Sequence, residues 1–348
     1  MGEMRRRDMI AGAGAAAIFA GIVGFEMTRP RPVVSGELAF VDPALRDAVA
    51  GPAPPDLTPQ SLPVWRAASV AAPRRRLPPP APQPALLRIP GPRGAPAVRI
   101  ILIDPGGAGR RAAYLYIHGG GFVLGTVRDD VATLQKVARD HGCLVVSVDY
   151  RLAPETRFPG ALEESYAALK WLHGNAEALR VDARRIVVGG ASAGGGHAAA
   201  LAIAARDRGE TPIAFQLLIY PMLDDRTLTR SSQSIICRKV WNRVANTAAW
   251  NAYLGAGHET QDVSPYGAPA RAPCQRGLPP AFIAVGALDV LLDEDVIYAQ
   301  RLRAAEVPTE LHVYPGAAHA FDVHAPDAAL SRRLADDRKH ALRRAFGF

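Results

Sequence analysis

Between a β-branched run ending at Val188 and an alanine-rich stretch from Ala193 to Arg208 stands Gly190-Ala191-Ser192-Ala193-Gly194. A strand that becomes a helix over so few residues must reverse through a tight, strained turn. Glycine at both flanks lets the neighbouring backbones come that close. The same alternation recurs along the chain. Apolar, β-branched runs at 112–117, 143–148, 185–188, 213–220, 281–285 and 309–314 alternate with helical periodicity at 127–140, 161–172, 193–208, 293–305 and 327–345. Strands and helices in that order predict an α/β fold: a mostly parallel central sheet with helices on both faces.

One stretch breaks the rhythm. Residues 222–277 hold Trp241, Trp250, Tyr253 and Tyr266 between two predicted strands without strand-like alternation. An insertion of that length at the carboxyl side of the strands predicts a helical cap. Residues 29–96 are proline-rich, with Pro54-Pro55 and Pro78-Pro79-Pro80 breaking any long element. Short helices are expected there near 42–47, where aspartate precedes proline, and near 61–67. The segment reads as an N-terminal cap or wrapping segment. The core is then split into 97–221 and 278–348 around the 222–277 insertion.

At 348 residues and 49% hydrophobic, the chain can bury a full α/β core and an accessory cap. Its net charge of +8 comes from scattered arginines. Runs such as Arg74-Arg75-Arg76 and Arg332-Arg333 are interrupted by proline or followed by acids, and no nucleic-acid-binding motif accompanies them, so no nucleic-acid partner is expected. Of the three cysteines, Cys143 reads as a small buried hydrophobe, and Cys237 and Cys274 could pair in an oxidising compartment. Neither C-x-x-C nor H-E-x-x-H occurs, and no metal is expected.

Residues 1–28 are distinct. Arg5-Arg6-Arg7 leads into an uncharged, alanine- and glycine-rich stretch at 11–23, similar to a twin-arginine export signal. No clean A-x-A cleavage site follows, which leaves an uncleaved membrane tether open beside export, and an ordinary cytoplasmic helix as the alternative.

The residues that carry chemistry lie at strand ends. G-x-S-x-G arises by chance in about one chain in ten of this make-up, so its strand–turn–helix setting is what singles out Ser192 as a nucleophile. His118-Gly119-Gly120-Gly121 is rarer and follows a strand directly. Consecutive glycines there can turn their amides to one point, as acyl transfer requires of the donors that receive its oxyanion. Gly194-Gly195-Gly196-His197-Ala198-Ala199 also fits a dinucleotide fingerprint, but the next strand ends without the acid that would hold a ribose, so no cofactor is expected. Asp289 follows the 281–285 strand and precedes the helix that Asp293, Glu294 and Asp295 open. Acids at a helix start are favoured by its dipole, so Asp289 is the choice for the acid. Of nine histidines, His319 sits on the loop after the last strand, beyond the acid, with His324 its nearest rival.

Together with Asp149-Tyr150-Arg151-Leu152-Ala153-Pro154-Glu155, Tyr220-Pro221 and the Asp289 to Glu294 stretch, these motifs identify the chain as similar to the hormone-sensitive lipase-like branch of the α/β-hydrolases, the bacterial family IV esterases. The resemblance spans Asp42 to the C-terminus. It implies an α/β-hydrolase fold with Ser192 as nucleophile, His319 as base and Asp289 as the orienting acid. An oxyanion hole from the amides of Gly120, Gly121 and Ala193 is implied as well, with His118, Gly119, Gly190 and Gly194 supporting the turns. The implied activity is hydrolysis of small, short-to-medium acyl esters through an acyl-enzyme. An amide hydrolase or deacetylase on the same scaffold, and a non-catalytic small-molecule receptor, remain as alternatives. Where the family usually carries Asp or Thr before the serine, this chain has Ala191.

Overall fold

Leu144-Val145-Val146-Ser147-Val148 has no polar face to offer water, so it folds as a central strand, buried on both sides. In the computed structural model, which describes residues 38–50, 54–71, 82–234 and 240–347, eight strands form one sheet. They are β1 (Pro84–Ile89), β2 (Val98–Ile103), β3 (Arg111–Ile117), β4 (Leu144–Asp149), β5 (Val181–Ala191), β6 (Phe215–Ile219), β7 (Ala281–Gly286) and β8 (Thr309–Tyr314). The spatial order is β1-β2-β4-β3-β5-β6-β7-β8. β2 runs antiparallel to β1 and β4, and all pairs from β4 to β8 are parallel. Two compact units divide the chain, Met1–Phe40 and Val41–Phe348, and residues 38–40 of the first form a turn. The export-like segment 1–28 lies outside the described residues, and so does Cys237 with its pairing to Cys274.

Six strands lie where the apolar runs predicted them; β1 and β2 add to them. β1 falls inside the 29–96 segment expected to form a cap or wrapping segment, and it pairs with β2 at the edge of the sheet. Its first residue is Pro84, the position at which an edge strand tolerates proline, and the prolines before it conceal the strand. Residues alternate between two apolar layers as the two-residue period requires. Ala113, Leu115 and Ile117 of β3 pack in the layer that holds α3 (Gly160–Gly174) and α4 (Ala193–Arg208); α1 (Leu62–Ala71) lies in the N-terminal segment, and α2 (Val131–His141) joins β3 to β4. Tyr114 and Tyr116 face the other layer, with Cys143 and Val145, against α2 and α7 (Ala329–Ala345). Each fully buried Val, Leu or Ile contributes about 1.5–3 kcal/mol. Cys143 is one of these buried apolar groups, its thiol pushed up to about 12 by burial.

A third apolar cluster sits over the carboxyl ends of the strands. Leu57 and Leu62 from the N-terminal segment meet Phe122, Ala193 and Met222, together with Trp250 and Tyr253 of α5 (Arg243–Leu254). Asn242 caps α5 by accepting the Ala245 N–H at 3.0 Å, which sets where that helix begins. α6 (Leu292–Ala304) follows β7. Among the described residues no helix is long and apolar enough to cross a membrane.

Candidate active site

Ser192 stands between β5 and α4 with φ 57° and ψ −123°, a conformation L-residues avoid. Its backbone is fixed on both sides: its N–H donates to Ile219 O at 2.8 Å, and its carbonyl accepts from Gly196 and Met222. A side chain at Gly190 or Gly194 would run into the carbonyl of Ile117, so β3 and the turn can abut only because both flanks are glycine. Gly196 lies in the same way against Met222 O. The glycines that imitate a dinucleotide fingerprint are therefore filled by the protein's own backbone. Ala191 is partly buried and packs with the second apolar layer.

His319 and Asp289 reach Ser192 from two loops that lean on each other. Leu288 N–H donates to Ala317 O at 2.9 Å and Ala287 N–H to Tyr314 O at 2.8 Å. A Cβ on Gly286 would enter the Ala317 carbonyl, so glycine there permits the close approach. Asp289 Oδ2 lies 2.7 Å from His319 Nδ1, and His319 Nε2 lies 2.9 Å from Ser192 Oγ. A carboxylate only accepts, so Nδ1 carries the imidazole proton and the Nε2 lone pair faces the hydroxyl. The second carboxylate oxygen accepts the Leu291 N–H at 3.0 Å, which holds the acid in place. Relative exposures are 8% for Ser192, 5% for His319 and 0% for Asp289, so these interactions operate with little competing water. The hydroxyl proton thus has a direct path to a ring nitrogen.

The glycine loop stands next to the serine. A Cβ on Gly119 would come 2.8 Å from Ala191 O and 3.6 Å from Ser192 Cβ. Gly120 and Gly121 have φ 121° and 56°. Gly120 O accepts the Val123 and Leu124 N–H groups, which closes the loop into a turn. Among the described residues no protein acceptor takes the amide hydrogen of Gly120, Gly121 or Ala193. Ala193 also opens α4, whose first amides carry the positive end of the helix dipole. His118 supports this loop from behind. Its Nδ1–H donates to Gly119 O at 2.8 Å, its ring stacks on Tyr150 at 4.2 Å, and the Tyr150 hydroxyl donates to His118 O at 3.0 Å. Burial lowers the His118 pKa, so the ring is a neutral brace.

The rival residues stand elsewhere. His324 is exposed on a short helical turn (Phe321–His324). Asp293 accepts the Ser231 N–H at 2.7 Å. Glu294 and Asp295 do open a helix, as expected, but both are also buried, at 2% and 0% exposure. Glu294 Oε1 accepts the Leu223 and Asp224 amides at 2.8 and 3.2 Å, tying the end of β6 to α6, and burial holds both carboxyls well above their ordinary pKa. Among the described residues no group of His, Cys, Asp or Glu is arranged to hold a metal.

Several contacts around these residues, unlike the motifs themselves, had no counterpart in the sequence reading. Tyr220 packs edge-on against His319 at 4.8 Å, and its hydroxyl donates to Asp322 Oδ1 at 2.7 Å; Arg338 pairs with Asp322 at 3.6 Å. Arg66 of α1 donates to Val123 O and Ala153 O, both at 3.0 Å, and to both oxygens of Glu155. Trp241 lies against Gly121, with its ring centroid 6.3 Å from that of His319.

The α/β hydrolase fold family matches residues 114–323. Esterase LipI of Mycobacterium tuberculosis is 39% identical over 208 residues, a match that covers 60% of this chain and 64% of that protein. Carboxylesterase NlhH of the same species is 38% identical over 217 residues, covering 60% and 65%. The match thus spans less than two thirds of the length of these relatives. Among solved structures, a bacterial heroin esterase is 40% identical with a TM-score of 0.85, covering 90% of this chain and 100% of that one. Esterase LipW from Mycobacterium marinum is 35% identical with a TM-score of 0.77, covering 89% and 98%.

Proposed function

The chain belongs to the α/β-hydrolase family, in its hormone-sensitive lipase-like branch, and from that premise we propose that it is a serine carboxylesterase for small, short-to-medium acyl esters. The observation that carries the reading is the unbroken Ser192–His319–Asp289 line of hydrogen bonds at 2.9 and 2.7 Å. The names of the relatives, esterases and carboxylesterases, support it.

In this mechanism Ser192 Oγ attacks the ester carbonyl carbon while its proton passes to His319 Nε2. The carbonyl oxygen becomes an oxyanion that accepts from the amides of Gly120, Gly121 and Ala193; one such donor is worth on the order of 3 kcal/mol. Asp289 holds the ring in its tautomer and stabilises the imidazolium. His319 then returns the proton to the departing alkoxide, which leaves as the alcohol. Water attacks the acyl-enzyme, giving its proton to His319 and its oxygen to the acyl carbon. Collapse releases the carboxylic acid and restores the Ser192 hydroxyl. A panel of nitrophenyl esters and matched anilides of increasing acyl length tests the substrate class. Short esters should be cleaved fastest; anilides cleaved faster than esters would overturn the reading.

Export by residues 1–28 is part of the proposal, on the strength of Arg5-Arg6-Arg7 before an uncharged stretch. Cell fractionation of an Arg6→Lys, Arg7→Lys variant tests it, and unchanged localisation would remove that part.

A further inference from the structure

Trp241 immediately precedes the cap residue Asn242 of α5, and its indole is fixed at two ends. Its Nε1–H donates to Asn246 Oδ1 at 3.0 Å, and Asn246 is itself buried on α5. Its far edge, at Cη2, occupies the space that a side chain on Gly121 would need. The third glycine of the loop therefore makes room for a flat aromatic group supplied by the cap insertion.

The position of that ring relative to the base gives it a role. A leaving oxygen must come within hydrogen-bond reach of His319 Nε2 to receive its proton, so whatever is attached to that oxygen begins beside the imidazole. Among the described residues two aromatic rings, Tyr220 and Trp241, neighbour His319. Tyr220, at 4.8 Å, is buried, with its hydroxyl engaged by Asp322. Trp241, at 6.3 Å and tilted by 37°, is only half-buried and borders the glycine loop as well. Of the two, Trp241 is the ring with surface left for a group on the leaving oxygen to meet.

We propose that Trp241 is the wall for the alcohol half of the ester and selects flat, aromatic alcohols. The inference rests on Ser192-dependent ester hydrolysis. Turning the indole away would break its hydrogen bond to Asn246, and its face prefers another aromatic ring in an offset or edge-on arrangement.

Benzyl acetate and cyclohexylmethyl acetate share the acyl group, a primary alcohol and the ring size, and their leaving groups are of similar acidity. The wild-type protein should favour the benzyl ester in kcat/KM by about three- to tenfold. Trp241→Leu should bring the ratio close to unity, and Trp241→Phe should keep part of the preference. An unchanged ratio in Trp241→Leu would overturn the inference while leaving ester hydrolysis standing. Should the variants fold poorly, the wild-type protein suffices: benzyl alcohol should inhibit competitively more strongly than cyclohexylmethanol, and equal inhibition would overturn the wall. If no acetate is turned over in a Ser192-dependent way, the hydrolase reading falls, and this inference with it.

Discussion

Arg66 and Glu155 meet through two hydrogen bonds of 2.8 and 2.9 Å, and the same guanidinium reaches the carbonyls of Val123 and Ala153. One side chain of α1 thereby ties the N-terminal part of the cap to the loop that follows the three glycines. The pairing holds the Glu155 carboxyl down at about 2. A carboxylate whose folded pKa is depressed stabilises the fold above its unfolded pKa, and that contribution is lost as pH falls through about 4 toward 2. Glu155 is largely exposed, so water screens the pair and the contribution is about 1 kcal/mol. Arg66→Ala should lower stability at pH 7 by about 1–2 kcal/mol, counting the lost carbonyl contacts. Urea unfolding at pH 7 and pH 3 checks this: the difference from wild type should shrink at pH 3, and a constant difference would contradict the pairing.

Tyr220 packs against His319, and Asp322 holds the Tyr220 hydroxyl. Tyr220→Phe removes one hydroxyl and keeps the ring. It should lower kcat about tenfold, equivalent to roughly 1.4 kcal/mol, with little change in KM. Asp322→Asn should act similarly, and the double variant should cost little more than either single change because both break one link. Steady-state kinetics on a short acyl ester decide the matter. Fully additive losses would show that the two residues act separately.

Glu294 makes the opposite prediction to Glu155. Burial raises its pKa, so from about pH 4.5 upward the unfolded chain loses this proton while the folded protein retains it. Ionisation of the unfolded chain therefore weakens the fold progressively as pH rises. Glu294→Gln keeps an oxygen to accept the Leu223 and Asp224 amides and removes that dependence. Relative to wild type, the Gln variant should be more stable at pH 8 than at pH 5, as measured by thermal or urea unfolding. Glu294→Ala should be destabilised at both, because it leaves those buried amides without an acceptor. A Gln variant whose relative stability does not change with pH would contradict the neutral, buried carboxyl.

Much of the site was legible because it is written in backbone requirements. A serine between Gly190 and Gly194 at a strand-to-helix junction, and three glycines after a strand, can be read locally. Asp289 and His319 could be placed by their position after predicted strands. What stayed hidden depends on partners distant in sequence or on burial. Arg66 and Glu155 are 89 residues apart, and although Glu155 closes the 149–155 motif, nothing local names Arg66 as its partner. Trp241 lies in the irregular insertion, where no periodicity indicates which way a ring will face. Glu294 and Asp295 look like ordinary acids at a helix start until the segment after β6 is folded over them. β1 was obscured by the prolines before it, and Gly286 by its place at the end of a strand with no motif around it.

The central claim is that Ser192 forms the covalent acyl-enzyme, with His319 as its base. Rapid-quench mass spectrometry of the protein mixed with nitrophenyl acetate tests it most directly. An acetyl group should appear on the peptide that contains Ser192 before steady-state turnover and be absent from Ser192→Ala, which should be folded and inactive. Asp289→Asn should form the adduct more slowly, by on the order of 10⁴-fold. Wild-type rates in Ser192→Ala, or an acetyl group on another residue during turnover, would contradict it.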